Sequence, residues 1–434
     1  GAAQIAPNGK VAAFARGPSV VICAVPRPGQ AAPEVLRRIT ALDDVEALEW
    51  SSDSRLLLCV QLKRATAEVF SLQDEAWSCR LNEGVAGMVH AAFAPDARHV
   101  LTVADFQLHI TVWSLADQPQ RCIEAPKLAS AAGVTFSADG QFLAVLHRRE
   151  CKDSVAVYSA SAQSNWQQLA HFGVASRDAE EIAWSPRNDA IAVRDSSIEY
   201  LVLLYSPGTG NLLGRYSAYE NALGARCLAW DPTGDFLAVG SFDPVVRVLN
   251  SVSWRPVAEC VHDAAVPAAA PFLVLADGPT EDAENAATPA NEAAAGAAAP
   301  QRRFRLVKPD ARRELPRAGV PSLAWSVDGA YLASRDEEKP CVVWIWSPAQ
   351  LAPVAVLEFP AKVATFKWHP ARPALAVAWG QPFADLWEPT AKTQSALRRL
   401  APLPASVPAD GPDPPAWAEP VLGLRWADDG TALA

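Results

Sequence analysis

Nine copies of one short pattern run along this chain, and they constrain its fold more than any other feature. The pattern is an anchor residue, a small or acidic residue, a polar turn, and an apolar stretch often ending in Leu-Ala. It reads IAPNGKVAA from Ile5, WSSDSRLLL from Trp50, FAPDARHVL from Phe93 and FSADGQFLA from Phe136. It continues as WSPRNDAIA from Trp184, WDPTGDFLA from Trp230 and WSVDGAYLA from Trp325, with weaker copies WHPARPALA from Trp368 and WADDGTALA from Trp426. Most intervals between anchors are 43–48 residues. Every copy but the last is followed by another β-branched or aromatic run, such as VVICAV, ITVWSL or VVWIWS. Residues 227–250, CLAWDPTGDFLAVGSFDPVVRVLN, show the local logic: apolar runs of strand length separated by two polar turns. Asp231-Pro232-Thr233-Gly234 has type I turn chemistry, with Asp accepting a backbone bond, Pro presetting φ and Gly closing the turn. At the second turn Asp243 is placed to bond neighbouring backbone N–H groups. Pro244 opens the next strand, where its missing donor does least harm.

A lone meander of this kind cannot cover both of its apolar faces. A tandem array can, because each repeat is buried by its neighbours. The period and anatomy are those of the four-stranded blade of a WD-repeat β-propeller. The sequence therefore predicts an all-β fold, a WD-repeat β-propeller with about nine blade repeats in one ring; a ring of seven or eight blades plus extra strands is the alternative. Residues 1–261 are expected to form blades 1–6 and residues 319–434 the remainder, the last one incomplete unless N-terminal strands finish it.

Residues 262–318 interrupt the repeat as an irregular insertion. Within it, 277–300 carry five acidic residues and no basic ones, set among Ala and Pro. Such a composition cannot bury enough surface to offset ordering entropy, so disorder is expected. Residues 301–317, QRRFRLVKPDARRELPR, hold seven Arg/Lys against two Asp/Glu. This basic flank could touch an acidic partner such as a tubulin tail, or be a solvated, self-neutralised loop end. PFLVLA before the loop and FRLV after it could pair as a hairpin.

The net charge of −10 argues against broad nucleic-acid binding, which needs a basic face to neutralise phosphates. Eight cysteines form no CxxC and are expected to be reduced core residues of a cytosolic protein. The longest apolar run is too short and too rich in Ala and Pro for a membrane span. No P-loop, HExxH, GxSxG or paired Cys/His spacing is present, so no catalytic, cofactor or metal residues are assigned. SPGTGNLLG at 206–214 is expected to be a strand-to-strand turn. His147, beside Arg148 and Arg149, is expected to be a loop residue and not a general base.

Some segments go beyond what blade geometry requires. HRRECKDSVAVY (147–158), LLYSPGTGNLLGRYSAYENALGARCLAW (203–230) and FLAVGSFDPVVRVLNSVSWRPVAE (236–259) resemble the centrosomal microtubule-anchoring WD-repeat proteins. The likeness is close over about 40–262, looser over 319–390 and absent from the Ala/Pro-rich loop. Pro244, where a blade turn usually has Gly, is a departure, as is the diverged C-terminal third. The resemblance implies a non-enzymatic adaptor, without a cofactor, that partners a coiled-coil centrosomal anchoring protein, with tubulin or a minus-end-directed kinesin as further candidates. It implies a cytoskeletal location at centrosome, basal body or spindle pole, with a ciliary axoneme as a variant. A substrate-recognition propeller of a ubiquitin-ligase or RNA-processing assembly is the rival class.

Two groups are candidates for partner binding. Arg148, Arg149 and Lys152 are expected in a loop between second and third strands, where three cations suit an acidic helix. Tyr216, Tyr219 and Glu220 are expected where a fourth strand leads into the next blade, with Tyr216 also readable as a packing residue. The two groups are expected on opposite faces.

Overall fold

The computed structural model describes the chain apart from residues 1, 26–33, 117–118, 129–131, 161–164, 269, 271, 277–300, 311, 382, 390–396, 401–422, 429, 431–432 and 434. Eight four-stranded antiparallel meanders follow one another, at residues 3–40, 47–82, 90–124, 134–173, 181–216, 225–261, 322–358 and 365–400. They are numbered here as blades 1–8, and the WD-repeat propeller architecture expected from the repeat is what the chain adopts. The ninth copy forms a bridge between Trp426 and Leu433. Its Ala427 is buried against Ile5 and Ala12 of blade 1, and the Asp428 N–H donates to the Pro7 carbonyl at 2.9 Å. The N-terminal strands form a complete blade of their own and do not finish the ninth copy. The chain divides into two compact units, one built on Gly1–Gly224 and Arg425–Ala434, the other on Ala225–Pro402. Blades 1–5 lie in the first and blades 6–8 in the second.

The recurring turn explains the recurring sequence. After Trp50, Phe136 and Trp325, a serine hydroxyl donates to the carboxylate two residues on: Ser51 to Asp53 at 2.6 Å, Ser137 to Asp139 at 2.6 Å, Ser326 to Asp328 at 2.5 Å. The same oxygen accepts the N–H at the start of the second strand, from Leu56, Phe142 and Tyr331 at 2.9–3.0 Å. After Trp230, the Asp231 carboxylate accepts the Phe236 N–H directly at 2.7 Å. Gly234, at φ +75°, donates its N–H to the Asp231 carbonyl, as the turn chemistry required. The next turn departs from expectation. The Asp243 carboxylate is taken by Arg247, four residues on, at 2.7 Å and by the Ser241 hydroxyl. A charged guanidinium is the stronger donor for that carboxylate.

The anchors tie neighbouring blades. The indole N–H of Trp50 donates to the Gln4 carbonyl (3.2 Å), Trp184 to Thr135 (3.1 Å), Trp325 to Ala229 (3.0 Å) and Trp368 to Ala324 (2.8 Å). In each case the acceptor immediately precedes the anchor of the blade before. Phe93 has no such donor. Its main-chain N–H bonds the Glu49 carboxylate at 3.1 Å instead, and burial raises that carboxyl to about 7. Trp50, Trp184 and Trp325 are buried, whereas Trp230 and Trp368 are only half-buried. Outside the anchors, Trp379 is fully buried and donates to Asp385 at 2.7 Å, while Trp417 lies outside the described residues.

Described parts of the insertion form strands, in a different pairing from the expected hairpin. Leu273–Leu275 adds a parallel fifth strand to the outer edge of blade 7, along Ala352–Glu358. Gln301–Arg303 pairs with Ala265–Pro267. Apolar docking decides this: Val274 is buried on the blade 7 side, and Phe304 is buried against Trp344 at a ring distance of 5.9 Å. The segment 277–300, for which disorder was expected, lies outside the described residues. No cysteine is bonded to another. Cys23, Cys59, Cys260 and Cys341 are buried, and burial pushes the Cys59 and Cys260 thiols up to about 12. Cys122 and Cys151 are exposed, contrary to a core role.

Candidate functional site

In an antiparallel meander, second-to-third turns and fourth-to-first connections leave a blade at the same end. The two candidate groups therefore share an edge of the first unit, and the expectation of opposite faces is corrected. The cations do not sit in a loop. Phe142–Arg149 and Lys152–Ser159 form a long hairpin in which Arg149 faces Lys152 and Arg148 faces Asp153. Its two-residue turn, Glu150 and Cys151, has φ of 50° and 60°, the twist of a type I′ turn. His147 is a buried strand residue whose Nδ1 faces the Ala125 carbonyl at 3.1 Å, and desolvation lowers its pKa.

The three cations differ in availability. Arg148 hydrogen-bonds Asp178, and the Arg177 carbonyl at 3.1 Å. Exposed Asp178 joins a network centred on buried Asp153. Asp153 accepts from Lys127 (3.0 Å), Ser176 (3.1 Å) and the Ala179 N–H (2.7 Å), and Lys127 also reaches Asp178 at 2.6 Å. The Lys127 hydrogen bond holds the Asp178 carboxyl below its usual range. Arg148 thus orders the connection entering blade 5. Arg149 makes only a 3.4 Å contact with exposed Glu124, and Lys152 is exposed.

The edge continues without a break to the tyrosines. Arg177 pairs with Glu199, in the second-to-third loop of blade 5, at 2.9 Å. Gly224 fits so closely on that loop that a Cβ would lie 2.2 Å from the Glu199 carbonyl oxygen. Tyr200 is buried between Tyr216 and Tyr219, with ring centroids 5.9 and 4.9 Å away, both edge-on. The Tyr219 hydroxyl donates to the Leu223 carbonyl at 3.0 Å. Tyr216 is a buried packing residue; Tyr219 is half-buried and Glu220 exposed.

The apolar members of this edge were not legible in the sequence. Ile198, at the tip of the blade 5 loop, is 74% exposed. On blade 3, Phe106 is 81% exposed at φ 55°, a backbone state that a bulky residue rarely adopts. Val85, in the connection entering blade 3, is fully exposed. Buried Glu83 braces this pair of loops through Thr102 and through His109 at 3.1 Å, and a Cβ on Gly87 would meet Asp105 at 2.8 Å. The only signal in the sequence was an apolar residue at a turn position, as in ADFQL (104–108) and SSIEY (196–200).

The WD domain, G-beta repeat family matches residues 210–250, from the fourth strand of blade 5 to the third of blade 6. Among solved structures, the C-terminal WD40 domain of Sif2 aligns with a TM-score of 0.54 at 12% identity, covering 87% of this chain and 92% of that one, a likeness of fold alone. An uncharacterized WD repeat-containing protein of Schizosaccharomyces pombe, C32H8.09, is 23% identical over 280 residues, 64% of this chain and 55% of that protein. The WD repeat-containing protein WRAP73 of Mus musculus is 37% identical over 413 residues, 92% of this chain and 85% of that protein. Identity at that level over nearly the whole repeat array shows that this chain belongs to the WRAP73 family of WD-repeat proteins.

Proposed function

We propose that the chain is a non-enzymatic adaptor that helps hold microtubule minus ends at a centrosome, basal body or spindle pole by binding a coiled-coil anchoring protein. WD-repeat propellers are generally protein-binding scaffolds, and nothing in the fold or the comparisons points to an enzyme. The observation that carries the reading is geometric. The two segments that most resemble the centrosomal anchoring family, around 147–153 and 216–220, converge on one edge of blades 4 and 5, where Arg149, Lys152, Ile198 and Glu220 face solvent. A rigid edge of mixed apolar and charged tips suits a helical partner, with apolar tips supplying contact area and charges setting orientation. The test is to express the tagged chain in dividing cells and to identify its neighbours by proximity labelling. Co-localisation with centriole markers and labelling of a coiled-coil protein support the reading. A nuclear pattern, with ligase or RNA-processing neighbours, overturns it.

A further inference from the structure

We propose that the basic strap of the second unit, residues 305–317, is a docking site for an extended acidic peptide. The strap is pinned at both ends. At the start, Phe304 is buried on Trp344, and Arg302 makes a two-point ion pair with Glu358 at 2.9 and 3.1 Å. At the far end, the Val320 N–H donates to the Ser241 carbonyl at 2.8 Å, and Gly319 (φ +69°) approaches the same carbonyl so closely that a Cβ would stand 2.2 Å away. Between these pins, among the described residues, one backbone bond ties the strap to the rest of the chain, from the Val307 N–H to the Glu338 carbonyl, and a second lies within the strap, from the Arg313 N–H to the Asp310 carbonyl.

Charge density sets the strap apart. Elsewhere many cations, such as Arg64, Lys127, Arg194, Arg226 and Arg247, are matched by carboxylates, and exposed ones such as Lys10 and Arg98 stand singly in the sequence. On and beside the strap, Arg303, Lys308, Arg312, Arg313 and Arg317 are all exposed and make no ion pair among the described residues. So much unmatched positive charge on a chain of net charge −10 is a local field that steers a negative partner. Exposed Leu306, Val307 and Leu315 lie between the cations in sequence and offer contacts that a phosphate backbone does not use. The one aromatic ring of the segment, Phe304, is buried, so no stacking platform is available for bases. A peptide rich in carboxylates, with an occasional apolar side chain, matches both features. This inference stands apart from the blade 4–5 edge and does not depend on it.

The test is fluorescence anisotropy of a labelled oligoglutamate peptide with the full chain, in low and in moderate salt. The expected result is saturable binding that weakens with salt. Changing Lys308, Arg312, Arg313 and Arg317 to Gln is expected to weaken it at least about tenfold, the size of effect that loss of several steering charges produces. Lys10→Gln with Arg98→Gln, which removes exposed charge from the first unit, is expected to leave it unchanged. Unaltered circular dichroism and thermal melting show that the strap variant is folded. Binding that survives the strap variant overturns the proposal. Tighter strap-dependent binding of a labelled oligonucleotide or of anionic vesicles overturns it in favour of those ligands. Binding that is absent from the full chain and present only after deletion of 277–300 assigns the strap to this chain's own acidic segment, and also overturns it.

Discussion

Single side chains set both the packing and the pH response of this protein. Trp184 and Trp325 are buried between blades and satisfy their N–H groups on the preceding blade. Replacing either with Ala is expected to cost about 3–5 kcal/mol in urea unfolding. Trp184→Phe keeps most of the ring and loses the bond to Thr135, for about 1 kcal/mol. Half-buried Trp230 should cost less than either of the others on changing to Ala. His262 has a different effect. It is buried between the Pro244 carbonyl (3.0 Å) and Ser334 (2.8 Å), and Ser334 also receives the Trp346 N–H at 2.8 Å. Desolvation lowers its pKa from 6.5 to about 4. Between those values the unfolded chain binds a proton that the folded chain does not. Its contribution to stability is therefore complete above about 6.5 and falls by roughly 3 kcal/mol as pH drops to 4. Denaturant midpoints measured across this window should decline, and His262→Gln should flatten the decline while lowering the value at neutral pH.

Hairpins and connections decide which residues are free to meet a partner. Reversing Arg149 and Lys152 to Glu is expected to leave the melting temperature nearly unchanged and to weaken capture of a coiled-coil partner. Arg148→Glu would set a third carboxylate beside buried Asp153 and exposed Asp178, and is expected to destabilise by roughly 1–3 kcal/mol. A triple reversal would confuse the two effects. The strands and turns were legible because side-chain alternation and turn chemistry are local properties of the chain. The availability of Arg148, the shared edge and the burial of Tyr216 were not, because each depends on residues 16–30 positions away: Asp178 for Arg148, Glu199 for Arg177 and Tyr200 for Tyr216. The exposed tips were illegible for a further reason: Phe106 and Ile198 look like strand residues until the turn geometry is known. Changing Phe106 and Val85 to Asp is expected to leave thermal unfolding intact while reducing partner recovery in pull-downs. A large fall in melting temperature would show that these side chains are packing residues.

At the scale of the whole chain, the repeat told where each blade begins, and the count of complete blades among the described residues is eight. The insertion between blades 6 and 7 was legible as a change of composition, but its strand on the edge of blade 7 was not, because nothing in FLVL specifies a parallel partner 83 residues away. Removing 277–300 while keeping both flanking strands is expected to move the melting temperature by only a few degrees, since loop length adds closure entropy slowly. The indole bonds between blades have a consequence for how such a molecule is made. Every acceptor carbonyl precedes its tryptophan donor, by 44–49 residues within the regular array and by 96 across the insertion. On the ribosome, each of these four anchor tryptophans therefore emerges after the strand that will receive it. The chain can be laid down one blade at a time, these four indoles finding their hydrogen-bond acceptors already synthesised.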